Sequence, residues 1–344
     1  MLISRIKIAT MAAALLAGVV TEANASDTLF QQFTGDYGVA TSGWGSLADS
    51  GTMSVSIPVG ATVTGAWLYQ STYNLGDSPT APGGTFGGSD VNYSTALGVN
   101  PSAGGNLEAY RGDVTSTVAS AVNGGPGGSY NFSVSETDTT EQDGEALVVV
   151  YSLASIATNT VAILNGAASS TGDVSHVNFA QPLDPTAPGF FAHMAIGDGF
   201  SCCGQASAIT VNGQEMTTVA GNNDSSVDAS ASDGNLITMG NIAGPYTGGI
   251  PGSPQTDYDA DHEAYDLVPF LSNGDTTITI DTINASLDDN IFVQVLDVSG
   301  IASVTPVTPG TPEPSTWVMM LIGFGGLGYA ARRAGKGRGR PATA

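Results

Sequence analysis

Cationic side chains are almost missing from this chain. No lysine occurs between Lys7 and Lys336, and Arg111 is the single arginine between Lys7 and Arg332. Of 8 Lys and Arg in 344 residues, seven lie before residue 26 or after residue 311, whereas only Glu22 and Glu313 of the 31 acidic residues do. Residues 26–311 therefore carry 29 acidic groups against one arginine, a formal charge of −28. Nucleic-acid and anionic-lipid binding by this segment are excluded, because neutralising phosphate needs Lys or Arg. A lysine–asparagine isopeptide staple is chemically impossible there. The same imbalance keeps the segment soluble by self-repulsion and draws divalent cations to it.

Cysteine is scarce too. The two present are adjacent, Cys202-Cys203, so a disulfide-dense scaffold is excluded. In an oxidising compartment they can close a vicinal disulfide; free thiols and pairing between chains are the alternatives. Histidine occurs only at 176, 193 and 262. No nucleophile elbow, phosphate-cradling loop or redox pair is visible, so no catalytic residue is assigned. His262-Glu263 and Asp266 lack the second histidine of a zinc-protease helix.

What is abundant is glycine, 46 residues, about twice its usual share. Together with Ser, Thr and Asn it makes turns and few helical surfaces. Short β-prone runs recur between turn clusters: Met53–Val59, Thr62–Tyr69, Ser129–Ser135, Asn159–Leu164, Phe190–Ile196, Ala208–Val211, Thr276–Thr282 and Asn290–Val298. Ala146–Leu153 is almost continuously apolar, as a central strand is. Val114–Val122 is the one short helical stretch. Ser78–Gly88 and Gly244–Pro254 are Gly/Pro loops, and Ser303–Thr311 is a Thr/Pro linker. The fold class expected is all-β, a sandwich or jelly roll over residues 26–302, with room for two packed sandwiches divided near residue 166.

Both ends read as addresses. Arg5 and Lys7, the apolar Ile8–Val20 and the small-x-small Ala23-Asn24-Ala25 compose a signal peptide, residues 1–25, cut between Ala25 and Ser26. At the other end Pro312-Glu313-Pro314 precedes an apolar run from Trp317 to Ala331 and then Arg332-Arg333. Fifteen helical residues span about 22 Å, short of the roughly 30 Å hydrocarbon core. The flanks argue for a transmembrane helix over 315–331 nonetheless: Trp317 suits one interface, the arginines snorkel at the other, and the five trailing cations place the C-terminus in the cytoplasm.

Pro312, Glu313, Pro314, Trp317, the glycines at 323, 325, 326 and 328, and Arg332-Arg333 resemble the PEP-CTERM sorting region of exosortase substrates, residues 312–340. The resemblance implies a precursor held in the inner membrane of a Gram-negative bacterium that makes extracellular polysaccharide. Exosortase would cut it near Pro-Glu-Pro and release it to the cell surface or extracellular matrix.

A second set of motifs runs through Gly65-Ala-Trp-Leu-Tyr69, Gly112-Asp-Val-Thr115, Gly128-Ser-Tyr-Asn-Phe132, Gly144 to Tyr151, Ile196-Gly-Asp-Gly199, Tyr265-Asp-Leu267 and Gly274-Asp-Thr276. Their order resembles the β-sandwich ectodomain of DUF3344-like bacterial surface proteins. That resemblance implies architecture and location, not a reaction.

The densest acidic run, Asp257 to Asp266, places Asp257, Asp259 and Asp261 at alternate positions that suit calcium. Position six is His262 and position twelve Val268, so it is not an EF-hand. Arg111-Gly112-Asp113 spells an adhesion tripeptide and reads as part of a structural turn. The function expected is non-enzymatic: an exported surface or biofilm-matrix protein with a structural or adhesive role, with no cofactor or with calcium. The competing readings are a secreted polysaccharide hydrolase, or a carbohydrate-binding module presenting Trp44, Tyr73 and Tyr93.

Overall fold

The computed structural model describes residues 27–45, 48–74, 82–101, 106–138, 142–169, 172–199, 207–221, 238–257, 260–284 and 290–307. The signal peptide with Ala25 and Ser26, the Cys202-Cys203 pair, Asp259 and the whole sorting region lie outside them.

The hydrophobic pattern of each strand fixes its layer. Strands that alternate bury one face, and strands that are apolar throughout bury two. β3 (Ser50–Ile57) and β9 (Gly128–Glu136) alternate, and pair antiparallel with each other. With β5 (Gly84–Phe86) and β6 (Ser89–Asp90) they form an outer sheet in the order β3-β9-β5-β6.

The apolar run around Val148 becomes β10 (Gln142–Ser152), central in an inner sheet between β2 (Tyr37–Trp44) and β4 (Thr62–Asn74). β8 (Asn106–Asp113) and β7 (Thr95–Pro101) complete that sheet. Leu147, Val149 and Tyr151 point into the core shared with the first outer sheet. Ala146, Val148 and Val150 point the other way.

They meet a second inner sheet, ordered β1 (Thr28–Gly35), β11 (Asn159–Asn165), β19 (Asn290–Ser299), β13 (Ala192–Gly199) and β16 (Thr238–Met239), with β17 (Ala264–Asp266) also on β13. Every residue of β11 is buried. Val161 and Ile163 face the first inner sheet; Ala162 and Leu164 face the opposite side. That side packs on the second outer sheet, β15 (Gln214–Ala220), β14 (Ser207–Val211), β18 (Thr277–Asn284), β12 (Asp173–Phe179) and β20 (Ala302–Val307). The result is four antiparallel sheets stacked as two sandwiches whose inner sheets share a third core.

The chain changes from one pair of sheets to the other between Ser152 and Asn159, earlier than residue 166, and β1 crosses that division: it precedes the first pair in sequence but pairs with β11 in the second. The expected linker also needs correction. Residues 302–307 are strand β20, the edge of an outer sheet, where the missing N–H of Pro306 is tolerated. Part of the expected loop 78–88 is strand β5.

The helix α1 (Thr115–Val122) closes the flank of the first sandwich with Val118 and Val122. β8 pairs with β4 only from Trp67 onward. Two amides of the preceding stretch are met instead by side chains at the ends of the helix: Ala66 N–H donates to Thr115 Oγ1 (2.9 Å) and Val63 N–H to Asn123 Oδ1 (2.8 Å).

Candidate functional site

β17, β13 and β19 lie side by side, and their register aligns Asp266, His193 and Asp297 in one row. Met194 and Ile196 face the outer sheet, so the alternate residues His193 and Ala195 face the first inner sheet. That sheet brings up Tyr37 and Gly38 from the start of β2 and Tyr151 from the end of β10. A groove of about 330 Å³ opens here.

Its wall is aromatic. His193 stacks on Phe191 (centroids 5.3 Å) and on Tyr246 (4.3 Å). Tyr246 follows the cis Gly244–Pro245 bond. Its hydroxyl donates to Ile242 O (3.0 Å) and lies 2.9 Å from His193 Nδ1. With that proton committed to the carbonyl, Nδ1 carries the imidazole hydrogen and Nε2 keeps the lone pair. Burial lowers the His193 pKa against the opposing pull of Asp266, so the ring is neutral at pH 7. Tyr151 packs where Gly38 has no side chain: a Cβ there would sit 2.5 Å from the phenol ring.

The polar end of the groove is Asp297 with Asn159. Asn159 Nδ2 donates to Asp297 Oδ1 at 2.6 Å. Burial pushes the Asp297 carboxyl up to about 7, more than the Asn159 bond lowers it. Asn159 is 1% exposed, and its Oδ1 has no hydrogen-bond partner among the described residues. The groove thus offers a wall of stacked rings, His193 among them, with a carboxyl at its polar end.

The opposite ends of the same strands are rich in buried acids. β10 ends in Tyr151 at the groove and begins near Glu145; β13 has His193 at one end and Asp198 at the other. Glu145 Oε1 accepts from Gln70 (3.1 Å), yet burial raises its pKa to about 8. Asp27 accepts from Gln294, and its carboxyl rises to about 7 through burial and the nearby Asp173. Arg111 is the single Lys or Arg among the described residues. In mid-strand on β8, it lies 3.4 Å over the Phe30 ring, and Asp113 accepts from Thr115 N–H at the start of the helix (2.8 Å). The Arg111-Gly112-Asp113 tripeptide is therefore strand, not a presented loop.

The acidic run is divided by the fold. Asp257 is exposed. Asp261 is fully buried, its Oδ2 accepting from Thr217 (2.6 Å) and its Oδ1 from Glu263 N–H (3.1 Å). Among the described residues no group of three or more His, Cys, Asp or Glu is arranged to hold a metal ion. Of the aromatics that the competing carbohydrate-module reading presents, Trp44 is 1% exposed and Tyr93 9%, both inside the first sandwich core, and the side chain of Tyr73 lies outside those described. Two residues of the groove, Asp297 and Tyr246, went unnoticed in the sequence because nothing local marks them.

Residues 311–334 match the PEP-CTERM protein-sorting motif. They include Pro312, Glu313, Pro314, Trp317, Arg332 and Arg333. The chain carrying this PEP-CTERM motif is an exported, membrane-processed protein, and exosortase is its processing partner. No curated protein matches the sequence. No helix among the described residues is long and apolar enough to cross a membrane, and the span expected at 315–331 lies outside them.

Proposed function

We propose that this protein is a non-enzymatic component of the cell surface or extracellular matrix of a Gram-negative bacterium, with a structural or adhesive role. The observation that carries the reading is the PEP-CTERM motif placed directly behind a nearly cation-free β domain. Removal of residues 1–25 and of the tail beyond the Pro-Glu-Pro motif leaves a body that stays soluble and repels nucleic acid. Four stacked sheets with three apolar interlayers suit a passive load-bearing part. The likeness to DUF3344-like ectodomains belongs to the same reading.

Mass spectrometry of the protein recovered from culture matrix tests this. The expected product begins at Ser26, ends near Pro312 and is depleted from the matrix when exosortase is deleted. A full-length product retained inside the cell would overturn the reading.

A further inference from the structure

We propose that the groove between the inner sheets is a saccharide-binding site, taking one or two pyranose rings. This goes beyond the surface role and does not depend on where the protein resides. A pyranose has an apolar C–H face and a hydroxyl rim. The face stacks on an aromatic ring and the rim needs donors and acceptors set beside it. The groove supplies both. Tyr246 and Phe191 flank His193 as a stacked aromatic wall, and Tyr37 and the edge of Tyr151 also line the groove. The rim meets the Asp297 carboxyl, whose Oδ1 accepts from Asn159, and the Tyr246 hydroxyl beside His193 Nδ1.

The volume, about 330 Å³, sits at the small end of the roughly 300–1,000 Å³ range of ligand sites. The lining mixes donors with acceptors: the Asp297 carboxyl, the His193 imidazole and the Tyr246 hydroxyl. The charged and titratable groups facing Asp297 are His193 on β13, Asp266 on β17, Tyr246, and Tyr151 on β10.

The test is saturation-transfer NMR on the full chain with methyl pyranosides of glucose, galactose, mannose and N-acetylglucosamine, and with tetramethylammonium as a cation probe. The expected result is saturation of ring C–H protons of at least one pyranoside, with Kd on the order of 1 mM. Ala243→Arg, at an exposed position on the groove's lip, should weaken binding about tenfold while the protein melts as the parent does. Tyr246→Ala should do the same by removing the stacking face. No transfer to any pyranoside up to about 50 mM, transfer unchanged in both variants, or binding of tetramethylammonium alone would overturn the proposal.

Discussion

His193 and Asp297 are directly opposed across the β13–β19 ladder, and each is held by a neutral partner, Tyr246 for the imidazole and Asn159 for the carboxyl. A histidine facing an aspartate usually forms an ion pair. Here burial drives both toward their neutral forms, lowering one pKa and raising the other.

Stability should therefore fall as pH rises. Asp27 and Asp297 move from 3.8 to about 7 and Glu145 from 4.5 to about 8, so the folded state holds more protons than the unfolded one from about pH 4 to pH 8. The stabilisation is complete below pH 4 for these groups and is lost progressively on the way to pH 8. His193, whose folded pKa is lowered, works the opposite way below pH 6.5 and is one group against three. Thermal melts should give a higher Tm at pH 5.5 than at pH 8. Glu145→Gln keeps an acceptor for Gln70 and should flatten that slope, raising Tm at pH 8. A Tm that climbs steadily from pH 5.5 to pH 8 in the parent would contradict this.

Gly51 lies against the Trp44 indole so closely that a Cβ would approach Nε1 to 2.0 Å. Gly51→Ala should destabilise by about 1–3 kcal/mol through overpacking, and Trp44→Ala by about 3–5 kcal/mol through loss of a buried ring. Denaturant unfolding of both variants measures this. Retained glycan binding in a folded Trp44→Phe protein would separate Trp44 from any surface role.

Trypsin has one site in residues 26–311. Arg111 is held in mid-strand on β8 with its guanidinium on Phe30. The native trimmed protein should resist cleavage, because the site opens only by local unfolding, and in urea should give two fragments. Rapid native cleavage would show that the strand is not formed.

Chelation probes the acidic run. Asp261 has its two oxygens occupied by Thr217 and Glu263 N–H. EDTA is expected to leave the Tm unchanged; a drop restored by added calcium would show that the ion rearranges Asp261 toward Asp257.

The period-two runs around Val55 and Phe132 were legible as one-sided strands, and the unbroken run at Val148 as a central one, because burial on one face or two writes directly into polarity. β1 and β2 were not. Gln31 and Gln32 interrupt the apolar pattern of β1, and Gln32 serves an edge contact: its Nε2 donates to Ala302 O (3.1 Å) and its Oε1 accepts from Val304 N–H (2.9 Å). β20 reads as linker because Pro306 and its hydroxyl neighbours look like unstructured chain, yet that same contact supports it. Trp44 sits among glycine and serine, a surface-like setting that hides its burial. The groove was illegible for a different reason. Tyr37, Tyr151, Asn159, His193, Tyr246 and Asp297 meet only because two sheets stack, and single-chain periodicity does not record which sheets stack.

The placement of β1 bears on how the molecule is made. Its partner β11 lies more than a hundred residues further on, and β11 in turn needs β19. The first strand of the polypeptide thus joins the two halves of the molecule, tying the N-terminal segment to a sheet built from the C-terminal half.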